Sequence, residues 1–316
     1  MIGYIIRRLA VAVLVMFGLA LVTFLLLHLL SPSPVYAVLG AKAQPLAVKI
    51  WNQQHGYDRP EIAQFFSYLG NLIHLNFGYS YKLDQSVTAL FKENAGRSAY
   101  LSGAALVLAL VIAVPLGIAQ AVKRNSAGDY AVTTFNFVLY SMPSFFLGLI
   151  LIQFFALDWG IFPPVVSDKI TSVWGAFTHP AQLALPIVTL AAINIASFSR
   201  YMRSSALDAL AQDYIRLARA KGLSERAVLL RHLLRNAILP MITLVGLSIP
   251  LLVAGNVLTE YLFNYSGIGL LFYTALGNLD YNILLAYTIA TGILTVLGNL
   301  IADIAVAAAD PRIRLG

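Results

Sequence analysis

The polar residues that could do chemistry are concentrated in one segment, from Tyr214 to Pro240, which reads YIRLARAKGLSERAVLLRHLLRNAILP. With the two arginines that precede it, this segment carries eight positive charges. They are Arg200, Arg203, Arg216, Arg219, Lys221, Arg226, Arg231 and Arg235. The stretches on either side are long and apolar enough to cross a bilayer. A membrane protein with so long a polar helical segment presents a docking surface to a soluble partner.

The sequence contains no pattern for catalysis, nucleotide binding or metal binding. The phosphate-loop pattern G-x-x-x-x-G-K-[ST] is absent, and the pair Lys221-Gly222 stands in the wrong order for it. The histidines and carboxylates lack metal-ligand spacing, no Gly-x-Ser-x-Gly elbow occurs, and there are no cysteines. We therefore expect neither enzymatic activity nor a bound cofactor or metal in this chain.

Ionisable side chains are also missing from the middle of the apolar stretches. A carrier that couples transport to protons or sodium usually needs such groups at membrane depth. Here Glu260, Asp303 and His28 lie near the ends of apolar stretches. The energy for transport must therefore come from another polypeptide, or transport is passive.

The composition predicts an integral membrane protein made of helices. Of the 316 residues, 59% are apolar and 11% are charged, and the mean hydropathy is +0.78. Six stretches have the length and composition of membrane spans. They are 9–30, 99–122, 132–156, 183–203, 237–259 and 282–306. We expect an all-α fold, and the first stretch is a retained span because it ends without a signal-peptide cleavage site.

The distribution of Lys and Arg predicts which side of the membrane each loop occupies. Fourteen lie on the side of the amino terminus and seven on the other side, six of them in one long loop, 31–98. The positive-inside rule carries little weight for long loops, so the short loops decide and place both termini in the cytoplasm. The net charge of +7 follows from this topology and from anionic cytoplasmic lipid, and no nucleic-acid partner is expected.

The order of spans and loops predicts how the chain is organised. The predicted units are 1–30 (amino-terminal end and first span), 31–98 (extracytoplasmic subdomain), 99–308 (core with spans two to six), its cytoplasmic loop 204–236, and the cytoplasmic tail 309–316. The extracytoplasmic subdomain is too aromatic for a disordered linker, and we expect a helix in it from about Arg59 to His74. The later segment 261–281 mixes aromatics with glycines, which is typical of a segment that folds back toward the bundle.

Four of the spans contain an internal proline, at Pro115, Pro143, Pro186 and Pro250. Proline lacks a backbone N–H and bends a helix, which membrane bundles tolerate where neighbours satisfy the freed carbonyl. We therefore expect kinked spans. Small residues such as Gly117 allow helices to pack closely.

The cytoplasmic loop has the pattern of two helices joined at a glycine. Residues 206–221 are good helix formers, Gly222 suits a helix carboxyl end, and Ser224 begins a second helix. In the second helix, one face is predicted to carry Leu229, Leu230, Leu233, Leu234 and Ala237, and the other Arg231, His232 and Arg235. On periodicity alone, this helix suits the inner lipid leaflet at least as well as a protein partner.

The loop also resembles a known family. The run Ala218-Arg219-Ala220-Lys221-Gly222-Leu223, followed by Arg231-His232-Leu233-Leu234-Arg235-Asn236-Ala237 and Leu239-Pro240, is similar to the cytoplasmic loop of permease subunits in ATP-binding cassette (ABC) importers of the dipeptide, oligopeptide and nickel branch. The resemblance extends to Gly56-Tyr57-Asp58-Arg59-Pro60, Asn76-Phe77-Gly78-Tyr79-Ser80, Pro143-Ser144-Phe145 and Asp310-Pro311-Arg312. The long first outer loop is like that of the B-type permease.

This resemblance implies the six-span type I importer permease fold, with the loop forming a coupling helix seated on a cytosolic ATPase. The residues carried over to that interface are Tyr214, Ala218, Arg219, Ala220, Lys221, Gly222, Leu223, His232 and Arg235. The implied partners are a second, homologous permease subunit in a heterodimer, two ABC ATPase subunits that bind ATP and Mg²⁺, an external substrate-binding protein, a peptide substrate and the lipid bilayer. The implied location is a bacterial or archaeal cytoplasmic membrane.

Two departures from the family pattern leave the substrate more open. Ser31-Pro32-Ser33-Pro34 replaces a usual Pro-Gly-Asp-Pro, and Ser266-Gly267-Ile268-Gly269 replaces a usual Pro-Gly-Leu-Gly. Nickel chelates or another small solute are therefore alternatives to peptides. An autonomous channel or carrier, and a lipid-binding assembly protein, remain further alternatives. Candidate pathway residues are Asn136, Ser141, Asn194 and Asn256, although an interhelical hydrogen bond explains each of them better than a substrate contact does.

Overall fold

The computed structural model describes residues 2–30, 33–40, 42–170 and 172–309. In chain order the elements are α1 (Ile2–Leu30), α2 (Val35–Leu39), α3 (Pro45–His55), α4 (Glu61–Ile73), β1 (Tyr79–Ser80), β2 (Gln85–Ser86), α5 (Val87–Val122), α6 (Ala127–Ser141), α7 (Ser144–Leu151) with a π-helical continuation (Ile152–Asp158), α8 (Val173–Thr178), α9 (Pro180–Leu210), α10 (Asp213–Ala220), α11 (Glu225–Ala227) with a π-helical continuation (Val228–Leu233), α12 (Leu234–Ala237), α13 (Leu239–Ala254), α14 (Val257–Leu262), α15 (Ile268–Asn278) and α16 (Tyr281–Ala309). The motif Asp310-Pro311-Arg312, the tail 310–316 and Ser31-Pro32 lie outside the described residues.

Within the described residues, α1, α5, α9 and α16 are each long and apolar enough to cross a membrane. Two bent pairs also qualify when each is taken as one span: α6 with α7, and α11–α12 with α13. Counted in this way, the candidate spans number up to six, which agrees with the six apolar stretches of the sequence. We call the end of the bundle at which α1 begins the inner end, and the opposite end the outer end.

The bend in the third apolar stretch lies at Pro143, as the sequence predicts. The axes of α6 and α7 differ by 107°. Because proline disfavours a helical conformation in the residue before it, Met142 is extended, with φ −83° and ψ 135°. In contrast, α5 continues through Pro115 and α9 through Pro186 without a break in the helix. The positions of the prolines therefore do not show which of them ends a helix.

The centre of the bundle is the pair α5 and α9. Their facing side chains, among them Leu101, Leu183 and Met202, are fully buried. The two helices approach so closely that a Cβ atom at Gly117 would lie 2.7 Å from the carbonyl oxygen of Ser199. Close backbone approach at small residues is the usual means of packing helices in lipid, where apolar burial does not drive association.

At the outer end, residues 33–86 form a small subdomain around α3, α4 and a hairpin. The helix expected near Arg59 to His74 is present as α4. The two-residue strands β1 and β2 pair in antiparallel fashion, which departs from the all-α expectation. The hairpin is held to the start of α16 because the Ser80 hydroxyl donates to Asp280 and the Asn282 amide donates to the Tyr79 carbonyl. Burial raises the pKa of the Asp280 carboxyl above its ordinary value, against the opposing effect of its hydrogen bonds.

The segment after α13 folds back onto α5, as expected from its aromatics and glycines. Its anchor is Glu260, whose side chain is fully buried. One carboxylate oxygen accepts hydrogen bonds from the Ser98 hydroxyl (2.8 Å) and the Asn256 N–H (3.2 Å), and the other accepts from the Leu270 N–H (3.1 Å). Since all of these groups donate, the carboxylate clamps α14 and α15 to the outer half of α5.

Candidate functional site

The loop between α9 and α13 has a defined turn at Gly222. The Gly222 N–H donates to the Arg219 carbonyl (2.9 Å) and the Leu223 N–H donates to the Ala218 carbonyl (3.3 Å). This pair of bonds is the Schellman arrangement, which ends α10 and requires a left-handed residue. Gly222 has φ +76°, and nothing lies within 4 Å of a Cβ built there. The glycine is therefore needed for its backbone conformation and not for lack of space.

Two further interactions fix the start of α11, and the second of them joins it to α10. The Ser224 hydroxyl accepts a hydrogen bond from the Ala227 N–H (3.4 Å) and caps α11. The Arg219 guanidinium donates to both oxygens of Glu225, at 2.8 and 3.2 Å. Both side chains of this pair are about half exposed, so it contributes less to stability than to the direction of the turn.

The face of the loop that packs against the spans, which we call its inner face, is part of the main apolar core. Ile215, Ala218, Val228 and Leu233 are buried and belong to the same cluster as Met202 of α9. The loop is therefore packed onto the inner end of α9 by the same kind of contact that joins α9 to α5. A displacement of the loop is therefore transmitted to α9, and through α9 to α5, because close-packed interiors deform little.

Two features of the loop differ from the sequence prediction. Leu230 was expected on the apolar face with Leu229 and Leu233, but its side chain is 56% exposed. The reason is that 228–233 is π-helical, and a wider turn rotates residues away from the positions that a 3.6-residue period assigns. Ala218, placed at the docking interface by the family resemblance, is instead buried against the core.

The other residues carried over to the interface lie on or near the outside of the loop. Tyr214, Arg219, Ala220, Lys221, Gly222, Leu223 and Arg235 are exposed, and His232 is half-buried. Sequence reasoning missed Leu217, which is 56% exposed beside Tyr214 on α10. Partial burial raises the pKa of the Tyr214 hydroxyl above its ordinary value, and a hydrogen bond with Asn236 opposes that shift. The outside of the loop thus combines basic side chains with exposed apolar ones, a mixture suited to a protein partner.

One of the arginines counted as a loop charge has a buried partner. Arg203 of α9 binds Asp129 of α6 through two parallel hydrogen bonds, of 2.8 and 2.7 Å. The Asp129 carboxylate also accepts from the Gln120 amide of α5 (3.3 Å) and from the Asn125 N–H (3.0 Å). The pair therefore ties α5, α6 and α9 together next to the loop.

The four candidate pathway residues fall into two groups. Asn194 and Asn256 line the same small cavity, of about 30 Å³, with Ser102 and Ser248 between α5, α9 and α13. The Asn256 amide donates to the Ser102 hydroxyl (2.9 Å). These four side chains offer uncharged hydrogen-bonding groups between the spans, and sequence reasoning missed the two serines.

The other two candidates lie elsewhere. Asn136 is buried and donates to the Ser199 hydroxyl (2.8 Å), which joins α6 to α9. Ser141 donates to the Phe137 carbonyl of its own helix (2.8 Å) and is exposed. Among the residues that the structure describes, no group of three His, Cys, Asp or Glu side chains could hold a metal ion.

Comparison with known proteins identifies the family. The protein-family model described as "Binding-protein-dependent transport system inner membrane component" matches residues 113–315. A second, described as "Binding-prot-dependent transport system membrane comp, N-term", matches residues 1–94. The chain belongs to this permease family.

Individual relatives align with the permease along its whole length. It is similar to the oligopeptide transport system permease protein AppB of Bacillus subtilis, with 35% identity over 314 residues and 99% of each chain covered. The dipeptide transport system permease protein DppB of Escherichia coli is 32% identical over 342 residues, with 99% of each covered. The glutathione transport system permease protein GsiC of Escherichia coli is 33% identical over 314 residues, again with 99% of each covered.

Family membership fixes the broad role of the chain. It is a multi-pass membrane subunit of an ABC importer and carries no ATPase site of its own. Such a permease works with a partner permease, an ATPase and a binding protein. The expectation of a type I importer permease fold is confirmed.

The Asp129–Arg203 pair predicts a measurable stability difference. Replacing Asp129 by alanine leaves a guanidinium without its partner at a largely buried position, and we expect a loss of about 3 kcal/mol, near the lower value for such pairs because Arg203 is 28% exposed. Urea-induced unfolding of the purified permease measures it. The control is Asp213→Ala, which removes the exposed Asp213–Arg216 pair and should cost less than about 1 kcal/mol. Equal losses in the two variants would contradict the structural role of the buried pair.

Proposed function

We propose that this permease carries di- or oligopeptides across the cytoplasmic membrane, after an external binding protein delivers them. The observation that carries the proposal is end-to-end similarity to permeases named for oligopeptide, dipeptide and glutathione transport. The uncharged amides and hydroxyls of Asn194, Asn256, Ser102 and Ser248 support it. Such groups can exchange hydrogen bonds with any peptide backbone and do not select a charged side chain.

The outside of the loop from α10 to α12 is the docking surface for a cytosolic ATPase. Its residues are Tyr214, Leu217, Arg219, Ala220, Lys221, Gly222, Leu223, His232 and Arg235, with Ala218 acting from beneath as a packing residue. Nucleotide-driven movement of the ATPase pushes on this surface, and the buried inner face passes the push to α9 and α5. Two such ATPases, which bind ATP and Mg²⁺, serve a heterodimer of this chain and a second homologous permease.

A lipid-bound loop is the less well supported alternative. An amphipathic helix on the inner leaflet must offer its apolar face to the acyl chains. Of the predicted apolar face, Leu233 and Ala237 are buried in the protein, Leu229 and Leu234 are half-buried, and Leu230 is exposed. The basic residues on the exposed face of the loop therefore serve membrane topology and protein docking.

In the proposed topology both termini and the loop lie in the cytoplasm, and the subdomain 31–98 lies on the external side of the membrane. The spans from 99 to 308 form the pathway, and 309–316 is a cytoplasmic tail.

The conformation of Gly222 provides a test of coupling. A valine cannot adopt its positive φ without strain, whereas asparagine tolerates that region well, and a Cβ atom at this position has no neighbour within 4 Å. We expect Gly222→Val to lose most peptide-stimulated ATP hydrolysis by the assembled importer in vesicles, and Gly222→Asn to retain most of it. Unchanged peptide uptake by the valine variant would contradict a coupling role for this turn.

Substrate class has a separate test. The external binding protein of this importer, purified without refolding, should retain peptides that mass spectrometry can sequence. Addition of those peptides should stimulate ATP hydrolysis by vesicles that contain the importer and the binding protein. A retained metal chelate or sugar, with no stimulation by peptides, would contradict the peptide assignment while leaving the coupling role of the loop intact.

A further inference from the structure

The helix α4 of the outer subdomain has an apolar stripe that the protein only half covers. Its residues Phe65, Leu72 and Tyr68 face the bundle and belong to the apolar cluster around α1 and α16. Immediately beside them on the helical wheel lie Ile62, Phe66 and Ile73, which are 73%, 60% and 81% exposed. The stripe is therefore continuous, and the half formed by Ile62, Phe66 and Ile73 is largely exposed.

The opposite side of α4 is polar. Gln64, Ser67 and Asn71 line a cavity of about 460 Å³ between the subdomain and the outer ends of α1 and α16. Gln64 also contacts the His28 ring of α1, with 3.2 Å between its amide oxygen and Nε2. The helix thus separates a polar cavity from an exposed apolar surface, which is the division of faces found in helices that lie in a membrane interface.

The depth of α4 along α1 follows from its aromatic contacts. The Phe65 ring lies 5.7 Å from the Phe17 ring and 5.3 Å from the Phe24 ring. The helix α1 ends at Leu30, so at about 1.5 Å per residue the positions of Phe17 and Phe24 lie about 20 and 9 Å below that end. The Phe65 ring is therefore at the level of the outer half of a hydrocarbon core about 30 Å thick.

We infer that the exposed stripe of α4, formed by Ile62, Phe66 and Ile73, is a lipid-binding surface that lies among the acyl chains of the outer leaflet. It continues the lipid-facing surface of α1, where Phe17 is 43% and Leu26 is 56% exposed. A water-soluble partner does not reach this depth. The subdomain is thus anchored in the membrane beside the first span.

Site-directed fluorescence tests this placement directly, because the chain contains no cysteine. Phe66→Cys, Ile73→Cys and the matched polar-face variant Ser67→Cys each receive one environment-sensitive fluorophore. The assembled importer is placed in vesicles of phosphatidylcholine and phosphatidylglycerol, without the external binding protein. Quenching is then compared between phospholipid brominated in its acyl chains and aqueous iodide added outside.

We expect the labels at Phe66 and Ile73 to lose most of their emission with brominated lipid and little with iodide, and the label at Ser67 to behave in the reverse way. Iodide quenching at Phe66 and Ile73 equal to that at Ser67 would show that the stripe faces water. Protection of both labels from both quenchers would show that another protein subunit covers it. Either of these results overturns the proposal, and neither bears on peptide transport or on coupling at Gly222.

Discussion

One apolar core, shared by the inner face of the loop and the span pair α5–α9, is the constraint on which the rest of the structure depends. Ile215, Val228 and Leu233 from the loop are buried in the same cluster as Met202 of α9 and Leu101 of α5. Because this core is close-packed, the loop cannot shift without moving the spans or opening a cavity. An importer subunit that lacks an ATP site needs such a connection, since its energy arrives from another polypeptide.

Polar clamps on both sides of this core limit how the helices can move. At the inner end, the Asp129–Arg203 pair holds α6 to α9. At the outer end, Glu260 holds the segment that follows α13 against Ser98 of α5. The small cavity lined by Asn194 and Asn256 adjoins the outer clamp, because the Asn256 N–H donates to Glu260. The helices that meet at the proposed pathway are thus held together by polar contacts at both ends.

Much of the fold follows from local sequence signals. Apolar length places the spans, Pro143 marks the bend between α6 and α7, and Gly222 marks the end of α10, because each acts through the backbone of its own neighbourhood. The approximate bounds of α4 follow from the turn signal that precedes it.

The remaining features depend on contacts between distant parts of the chain. Asp129 and Arg203 are separated by 74 positions, so neither residue alone indicates the pair. The exposure of Leu230 depends on a π-helical turn, which periodicity does not reveal. Ser102 and Ser248 resemble ordinary small residues of packed spans until the fold brings them next to Asn194 and Asn256. The family resemblance indicates the residues of the proposed docking surface. The burial of Ala218, which places it beneath that surface, is visible only in the structure.

The most direct test of the shared core is a distance measurement between the loop and α9 during the transport cycle. Spin labels at Arg226→Cys on the loop and Val188→Cys on α9, both exposed, can be measured by pulsed electron resonance in the assembled importer. If the loop and α9 move as one body, the distance should change by no more than about 2 Å between the nucleotide-free state and the state trapped with ATP and vanadate. A change of about 5 Å or more, comparable to one helical turn, would show that the loop slides on α9 and would contradict the account.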